Sequence, residues 1–342
     1  MKTKESDYAL FFSLTWDFVN GYLPKQAGHS IDTVESYRDS LTLFRRFLTD
    51  TQRKSLAKFK FSDCTKDCIY SFREHLLQSG NKPSTVNVRV TAIRTYLNYA
   101  ADRDISIQSI ALAISQIKPL KKLHKEMEVL SEDALAAILS APPQTKMGLR
   151  DRTILITLYD SAVRLSELLK IRIGDMNLDS EYPYVFIRGK GNKERTVQLT
   201  EKSVGHLKEY IHVFHPNPSG DTFLFSTTIK GNTDKMSSGN VQRILKQYSD
   251  IARCACSDTP ISVHPHMLRR TRATNLYQDG VAIELVSTVI GHARVETTKS
   301  HYAKPSVCQL RNAIESVPTP AKNEVPLWIG DEEEMARRCG LR

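Results

Sequence analysis

Near its end this chain carries His266-Met267-Leu268-Arg269, then Ile290-Gly291-His292, and ten residues later Tyr302. A histidine and an arginine three apart share one helical face, so His266 and Arg269 can act together. Upstream, Arg164 lies in Val163-Arg164-Leu165-Ser166-Glu167-Leu168, and Lys190 in Gly189-Lys190-Gly191-Asn192-Lys193-Glu194-Arg195. These residue types suffice to break a phosphodiester without a metal. Tyr302 offers a phenol, whose free pKa of about 10 requires that it be deprotonated or stabilised as it attacks. Arg164 and Arg269 offer rigid bidentate cations for the non-bridging oxygens and for the charge of a pentacoordinate transition state. Lys190, a point charge on a Gly-rich turn, can reach the single leaving oxygen and protonate it. His266 and His292 can hydrogen-bond the phosphate or carry a proton.

Each group also has a plainer use. An arginine three residues before Glu167 forms an ion pair along a helix. A lysine in a Gly-rich turn is commonly solvated, and a tyrosine late in a helical domain commonly packs. What sets this chain apart is that all of them occur together.

These groups need a frame, and the sequence supplies a mainly helical one. Val34, Tyr37, Leu41 and Phe44 recur at spacing three to four, which predicts one apolar helix face capped by Ser30 or Asp32. A second helix is expected over 65–77, ended by Ser79-Gly80-Asn81. A third begins after Pro83-Ser84, with Val86, Val90, Ile93 and Leu97 inward. Its other face carries Asn87, Arg89, Arg94 and Tyr96, which suits either a solvated surface or contact with DNA phosphates and base edges. A basic stretch follows with Lys118, Pro119, Lys121, Lys122 and Lys125, either a solvated loop or a connector crossing a duplex. Further helices are expected at 131–140, 148–160 and 164–171. Two β-rich runs, 184–188 and 196–199, flank the Gly- and Asn-rich turn and predict a hairpin. From 201 to 315 the chain reads as mostly helical, with loops at 216–220 and 231–235. A Pro-broken stretch then leads to a short helical tail over 331–338.

Composition agrees with a folded partner of a polyanion. Of 342 residues 40% are hydrophobic, enough for about two domains with real cores. Lys and Arg outnumber Asp and Glu by 48 to 38, a net charge of +10 that favours phosphate contacts and counterion release. The six cysteines, including Cys64-x3-Cys68 and Cys254-x-Cys256, lack the usual zinc spacings and read as reduced thiols. No signal-peptide pattern and no run of about 20 apolar residues is present, so a cytoplasmic protein without membrane contact is expected.

The motifs around Arg164, Lys190, His266–Arg269, Gly291-His292 and Tyr302 together resemble the catalytic domain of the tyrosine recombinase, or phage-type integrase, family. The resemblance implies a helical core-binding, DNA-binding domain over 1–116, a basic linker over 117–129, a mixed α/β catalytic domain over 130–316 and a tail over 317–342. The two domains would form a clamp on DNA. It implies that Arg164 and Arg269 hold the scissile phosphate and Lys190 protonates the leaving group. His266 and His292 complete the pocket, and Tyr302 forms a 3′-phosphotyrosyl link. The DNA-contact residues on this view are Asn87, Arg89, Arg94, Lys118, Lys121 and Lys122. Because the link conserves the phosphodiester bond energy, no cofactor and no metal is implied. The expected partners are double-stranded DNA at specific core sites and a homotetramer on synapsed DNA. The expected role is recombination for a mobile element. The alternatives are a chromosome-dimer resolvase, type IB topoisomerase-like resealing, and a non-catalytic DNA-binding protein on the same scaffold.

Two departures stand out. After Arg269 the family often has His then Thr/Ser-Phe, whereas this chain has Arg270-Thr271-Arg272, two cations near the site or on its outer surface. The spacing from His292 to Tyr302 is ten where many members have nine, which leaves His301 as a minor alternative nucleophile. In the tail, Trp328-Ile329-Gly330 and Met335 suit docking on a neighbouring protomer or folding back on their own domain.

Overall fold

Apolar residues at helical spacing gather the first part of the chain around an aromatic centre. The structure is a computed structural model that describes residues 10–121, 128–189, 194–291, 295–302, 307–316 and 331–341. The chain divides into two units, Met1–Lys125 and Glu126–Arg342. The first unit contains α1 (Thr15–Asp17), which runs on as a π-helical segment Phe18–Gln26, then α2 (Ile31–Arg46), α3 (Lys66–Gln78), α4 (Pro83–Ala101) and α5 (Gln108–Ser115). Ser30 stands at the N-cap of α2, and Thr65 caps α3 by accepting from Cys68 N–H at 3.2 Å. Of the expected inward residues, Val34, Leu41 and Phe44 on α2 and Val86, Val90, Ile93 and Leu97 on α4 are buried, and Tyr37 is half-buried. Phe11 sits at the centre, its ring 5.2–5.5 Å from those of Phe44, Phe59, Phe61 and Tyr96.

The supposed outer face of α4 is different. Tyr96 is fully buried and donates its hydroxyl to Phe11 C=O. Asn87 exchanges two hydrogen bonds with the Leu120 backbone, at 2.8 and 2.9 Å. Arg89 donates to Ser36 C=O and Ser40 Oγ at 3.2 and 3.1 Å, and Arg94 to Ile117 C=O at 2.8 Å. All three half-buried polar side chains therefore serve the unit's own fold. Ile117 is buried and Arg73 donates to Lys118 C=O, so residues 117–121 lie against α3 and α4 instead of forming a free connector. Lys118 and Lys121 are exposed, and Lys122 lies outside the described residues.

The second unit starts with α6 (Glu132–Ser140), α7 (Lys146–Asp160) and α8 (Leu165–Leu168). A three-stranded antiparallel sheet follows, ordered β1 (Met176–Asn177), β2 (Tyr184–Arg188), β3 (Glu194–Gln198). The β2–β3 hairpin is the expected one, with Arg188 opposite Glu194 across the turn. Then come α9 (Glu201–Phe214), β4 (Ser226–Ile229), β5 (Asn232–Lys235), α10 (Ser238–Ala255), α11 (Pro265–Gln278), α12 (Ile283–Ile290), α13 (Val295–Tyr302), α14 (Val307–Glu315) and α15 (Glu332–Arg338). The β4–β5 hairpin was not expected: β4 lies in a stretch read as mostly helical, and β5 in the loop expected at 231–235. Its turn, Lys230-Gly231, has φ of 50° and 81°, the left-handed pair that joins short antiparallel strands. Apolar α7 is the spine of this unit, with Ile154, Leu155 and Leu158 buried. At its end Asp160 accepts from Thr200 and Ser203 hydroxyls at 2.5 and 2.6 Å and pairs with Arg272 at 3.2 Å, tying α9 and α11 to α7. Among the described residues no helix is long and apolar enough to cross a membrane.

Candidate active site

Arg269 lies one turn into α11 and is 1% exposed, an uncommon position for a charged side chain. Its Nη1 donates to Ala162 C=O at 2.6 Å and its Nη2 to Ile290 C=O at 2.5 Å. Its Nε is buried with no acceptor among the described residues. The two carbonyls belong to two left-handed turns. Ala162 has φ of 49°, and Ile290 precedes Gly291, which caps α12 at φ 67°. Tyr302, the last residue of α13, packs with Ala162, Ala273, Val286 and Ile290 in one buried cluster and is 2% exposed. The nucleophile candidate thus shares one buried cluster, within a single chain, with the residues whose carbonyls hold Arg269.

Arg164 stands just before α8, 43% exposed. It is held by Glu167, whose carboxylate accepts from Arg164 N–H and from Arg164 Nη1, both at 2.9 Å. The helical ion pair and the catalytic reading are therefore compatible, because one guanidinium edge is held and the rest remains exposed. The same carboxylate accepts a fork from Arg195 on β3, at 3.2 and 2.9 Å. Glu167 is 5% exposed, and burial alone would push its pKa up. Hydrogen bonds from Arg195 and the Arg164 backbone, with the Arg195 charge, outweigh burial and take it down to about 2.

His266 follows Pro265 in the first turn of α11, its N-cap His264 accepting from Met267 N–H at 3.2 Å. Loss of solvent around the ring, then the charges of Arg269, Arg270, His264 and Arg164, hold the His266 pKa down to about 4. The imidazole is neutral at pH 7 and beside both arginines. Burial and the Arg164 charge likewise lower Arg269 to about 10, opposed by Glu167 and Tyr302. Lys190 and His292 lie outside the described residues, as does the side chain of His301. Arg270 and Arg272 serve mainly to anchor α11. Arg270 donates to Glu128 C=O at 3.0 Å, and Arg272 pairs with Asp160 and lies 5.5 Å from the Tyr159 ring.

The lowered pKa values of His266 and Glu167 give one direction of pH dependence. Below about 6.5 an unfolded histidine binds a proton that folded His266 refuses until about pH 4, so stability falls across that window. The Glu167 contribution is complete above about 4.5 and is lost as the pH falls towards 2. Acid titration of the melting temperature should show two successive losses, the upper abolished by His266→Gln and the lower by Glu167→Gln. Profiles unchanged in both variants would contradict the assignment.

The sequence matches the phage integrase family over residues 128–307 and the phage integrase N-terminal SAM-like domain over 18–104. The chain belongs to the phage integrase family. Among curated relatives, the tyrosine recombinase XerC of Staphylococcus haemolyticus is 30% identical over 88% of this chain and 96% of its own. XerD of Staphylococcus epidermidis is 28% identical over 84% and 93%. Among solved structures, the Tn1549 transposon integrase in complex with transposon right end DNA superposes with a TM-score of 0.67 at 13% identity, covering 91% of this chain and 99% of that one. XerH bound to its difH substrate in a post-cleavage complex gives 0.64 at 18% identity, covering 84% and 80%. This tyrosine recombinase is a site-specific DNA recombinase, mostly helical with small antiparallel sheets.

Of the six catalytic candidates, the structure brings four together in the recombinase: Arg164, His266, Arg269 and Tyr302. Residue type and spacing give no sign of Arg195 or of the Arg269-binding carbonyls of Ala162 and Ile290. The Arg-x-x-Glu spacing at Arg164 was the one visible trace of the Glu167 hub.

Proposed function

We propose that this recombinase cleaves DNA with Tyr302 as nucleophile and Arg164, Lys190, His266, Arg269 and His292 as the catalytic set. The single observation that carries the reading is Tyr302 buried in one cluster with Ala162 and Ile290, the residues whose carbonyls hold a fully buried Arg269, and close enough to that guanidinium to act on its pKa. In the cleavage step the Tyr302 Oη–P bond forms and the P–O5′ bond breaks. The phenolic proton passes to a base, for which neutral His266 is available, and the departing 5′-oxygen takes a proton from Lys190. Arg164 and Arg269 stabilise the two non-bridging oxygens as charge builds. Attack on the phosphotyrosine by a 5′-hydroxyl of the partner strand reverses these bonds and frees Tyr302. The helical first unit and the catalytic unit clamp duplex DNA, with exposed Lys118 and Lys121 on the phosphate backbone, and strand exchange takes place in a homotetramer on synapsed core sites.

The recombination serves a mobile element on our first reading. The resemblance to XerC and XerD favours chromosome-dimer resolution as the second. One experiment tests both. Covalent protein–DNA adducts are captured in the source cell and sequenced, and the linked peptide is identified by mass spectrometry. Adducts on a 3′-phosphate through Tyr302 are expected. Their position at the ends of a mobile segment supports the first role, and a single fixed chromosomal site supports the second. Absence of adducts, or linkage through another residue, overturns the mechanism.

A further inference from the structure

Arg195 occupies a place that the cleavage chemistry does not use. It projects from β3, five residues after Lys190 in sequence, and its side chain is 18% exposed. Both terminal nitrogens are spent on Glu167, and its Nε is buried with no acceptor among the described residues. Its guanidinium lies close against Gly291, where an added Cβ would come within 2.7 Å of Cζ and Nε and 2.9 Å of Nη1. One guanidinium therefore joins the hairpin strand, the Glu167 carboxylate and the left-handed turn that leads into His292. Arg164 depends on this arrangement, because Glu167 alone bonds its guanidinium among the described residues. A carboxylate held on one side by a bidentate arginine has little rotational freedom, so the Glu167 oxygens present a fixed target to Arg164. Without Arg195 the carboxylate can rotate, and Arg164, already 43% exposed, can follow it out of line with the phosphate.

We propose that Arg195 is a positioning residue of this recombinase, setting Arg164 through Glu167 while its packing on Gly291 keeps the hairpin and the α12 turn in register. The proposal rests on Arg164 contacting the scissile phosphate, and a substrate pair separates the two claims. A methylphosphonate at the scissile position has one charged non-bridging oxygen replaced by a neutral methyl group, so its cleavage depends less on Arg164. Single-turnover cleavage of a nicked duplex is measured with saturating protein on the phosphodiester and on the methylphosphonate. Misplacement of a reacting group by about 1 Å costs on the order of 10²-fold. Arg195→Met should therefore slow phosphodiester cleavage by about 10²-fold, and methylphosphonate cleavage by no more than about threefold. Arg195→Lys keeps the charge and one donor, and should fall between wild type and Arg195→Met on the phosphodiester. It also serves as the second variant should Arg195→Met fold poorly. Equal slowing on both substrates, or wild-type rates in both variants, overturns the positioning role. Wild-type protein that forms no adduct on the phosphodiester overturns the cleavage mechanism and this role with it.

Discussion

Tyr302→Phe should bind its duplex as the wild type does and form no covalent adduct. The side chain is 2% exposed and packed among Ala162, Ala273, Val286 and Ile290, and phenylalanine fills the same volume in the same rotamer. The loss to the fold is that of one hydroxyl, about 1 kcal/mol, or a few degrees in melting temperature. The loss to the chemistry is the nucleophile itself, and strand cleavage should fall by about 10⁴-fold or more. Gel retardation gives the binding, and a nicked duplex, whose short cleaved end diffuses away and prevents religation, gives the adduct. An adduct that persists in Tyr302→Phe and disappears in His301→Ala would move the nucleophile one residue back. Placement of Tyr302 at the end of α13, in the cluster that holds Arg269, argues for the phenol.

Much of this architecture was legible because helix faces repeat. Val34, Leu41 and Phe44 on α2, and Val86, Val90, Ile93 and Leu97 on α4, are spaced as a buried stripe requires and are buried. The opposite face of α4 is less free than its polar residues suggest, for a physical reason. That helix packs against α2, α3 and α5, so it has little free face. Tyr96, Asn87, Arg89 and Arg94 all find partners inside the unit, and polar residue type alone cannot distinguish a DNA contact from a backbone clasp. The β4–β5 hairpin escaped because its strands are four residues each, polar and largely exposed, leaving the Lys230-Gly231 turn as its main mark. In the site, side-chain chemistry announced Arg164, His266, Arg269 and Tyr302. Their supports were not announced. Arg195 meets Glu167 across 28 positions, a pairing set only by where β3 lies against α8. Ala162 takes a left-handed backbone where glycine would be expected, a strain of about 1–3 kcal/mol that buried surroundings must hold in place.

Arg269→Lys should lose about 10³-fold in cleavage while keeping DNA affinity within about tenfold, since phosphate contacts elsewhere dominate binding. The arginine spans two carbonyls on separate elements, Ala162 before α8 and Ile290 at the end of α12. A lysine has one nitrogen on a flexible stem and cannot reproduce that bridge. One carbonyl, buried and stripped of its donor, then costs about 1–3 kcal/mol, and the melting temperature should drop by several degrees. The electrostatic penalty acts in the same direction. Burial and Arg164 already lower the guanidinium to about 10, and an ammonium in that place starts from a lower pKa and yields its proton sooner. The residual activity of Arg269→Lys should therefore fade at lower alkaline pH than that of the wild type. Single-turnover cleavage across pH 6 to 10, with binding measured at each point, reads both effects. A variant within tenfold of wild type at neutral pH would mean that the two-carbonyl bridge merely braces α11. The phosphate charge would then fall to Arg164 alone, the more exposed of the two guanidiniums, whose hold depends on Glu167.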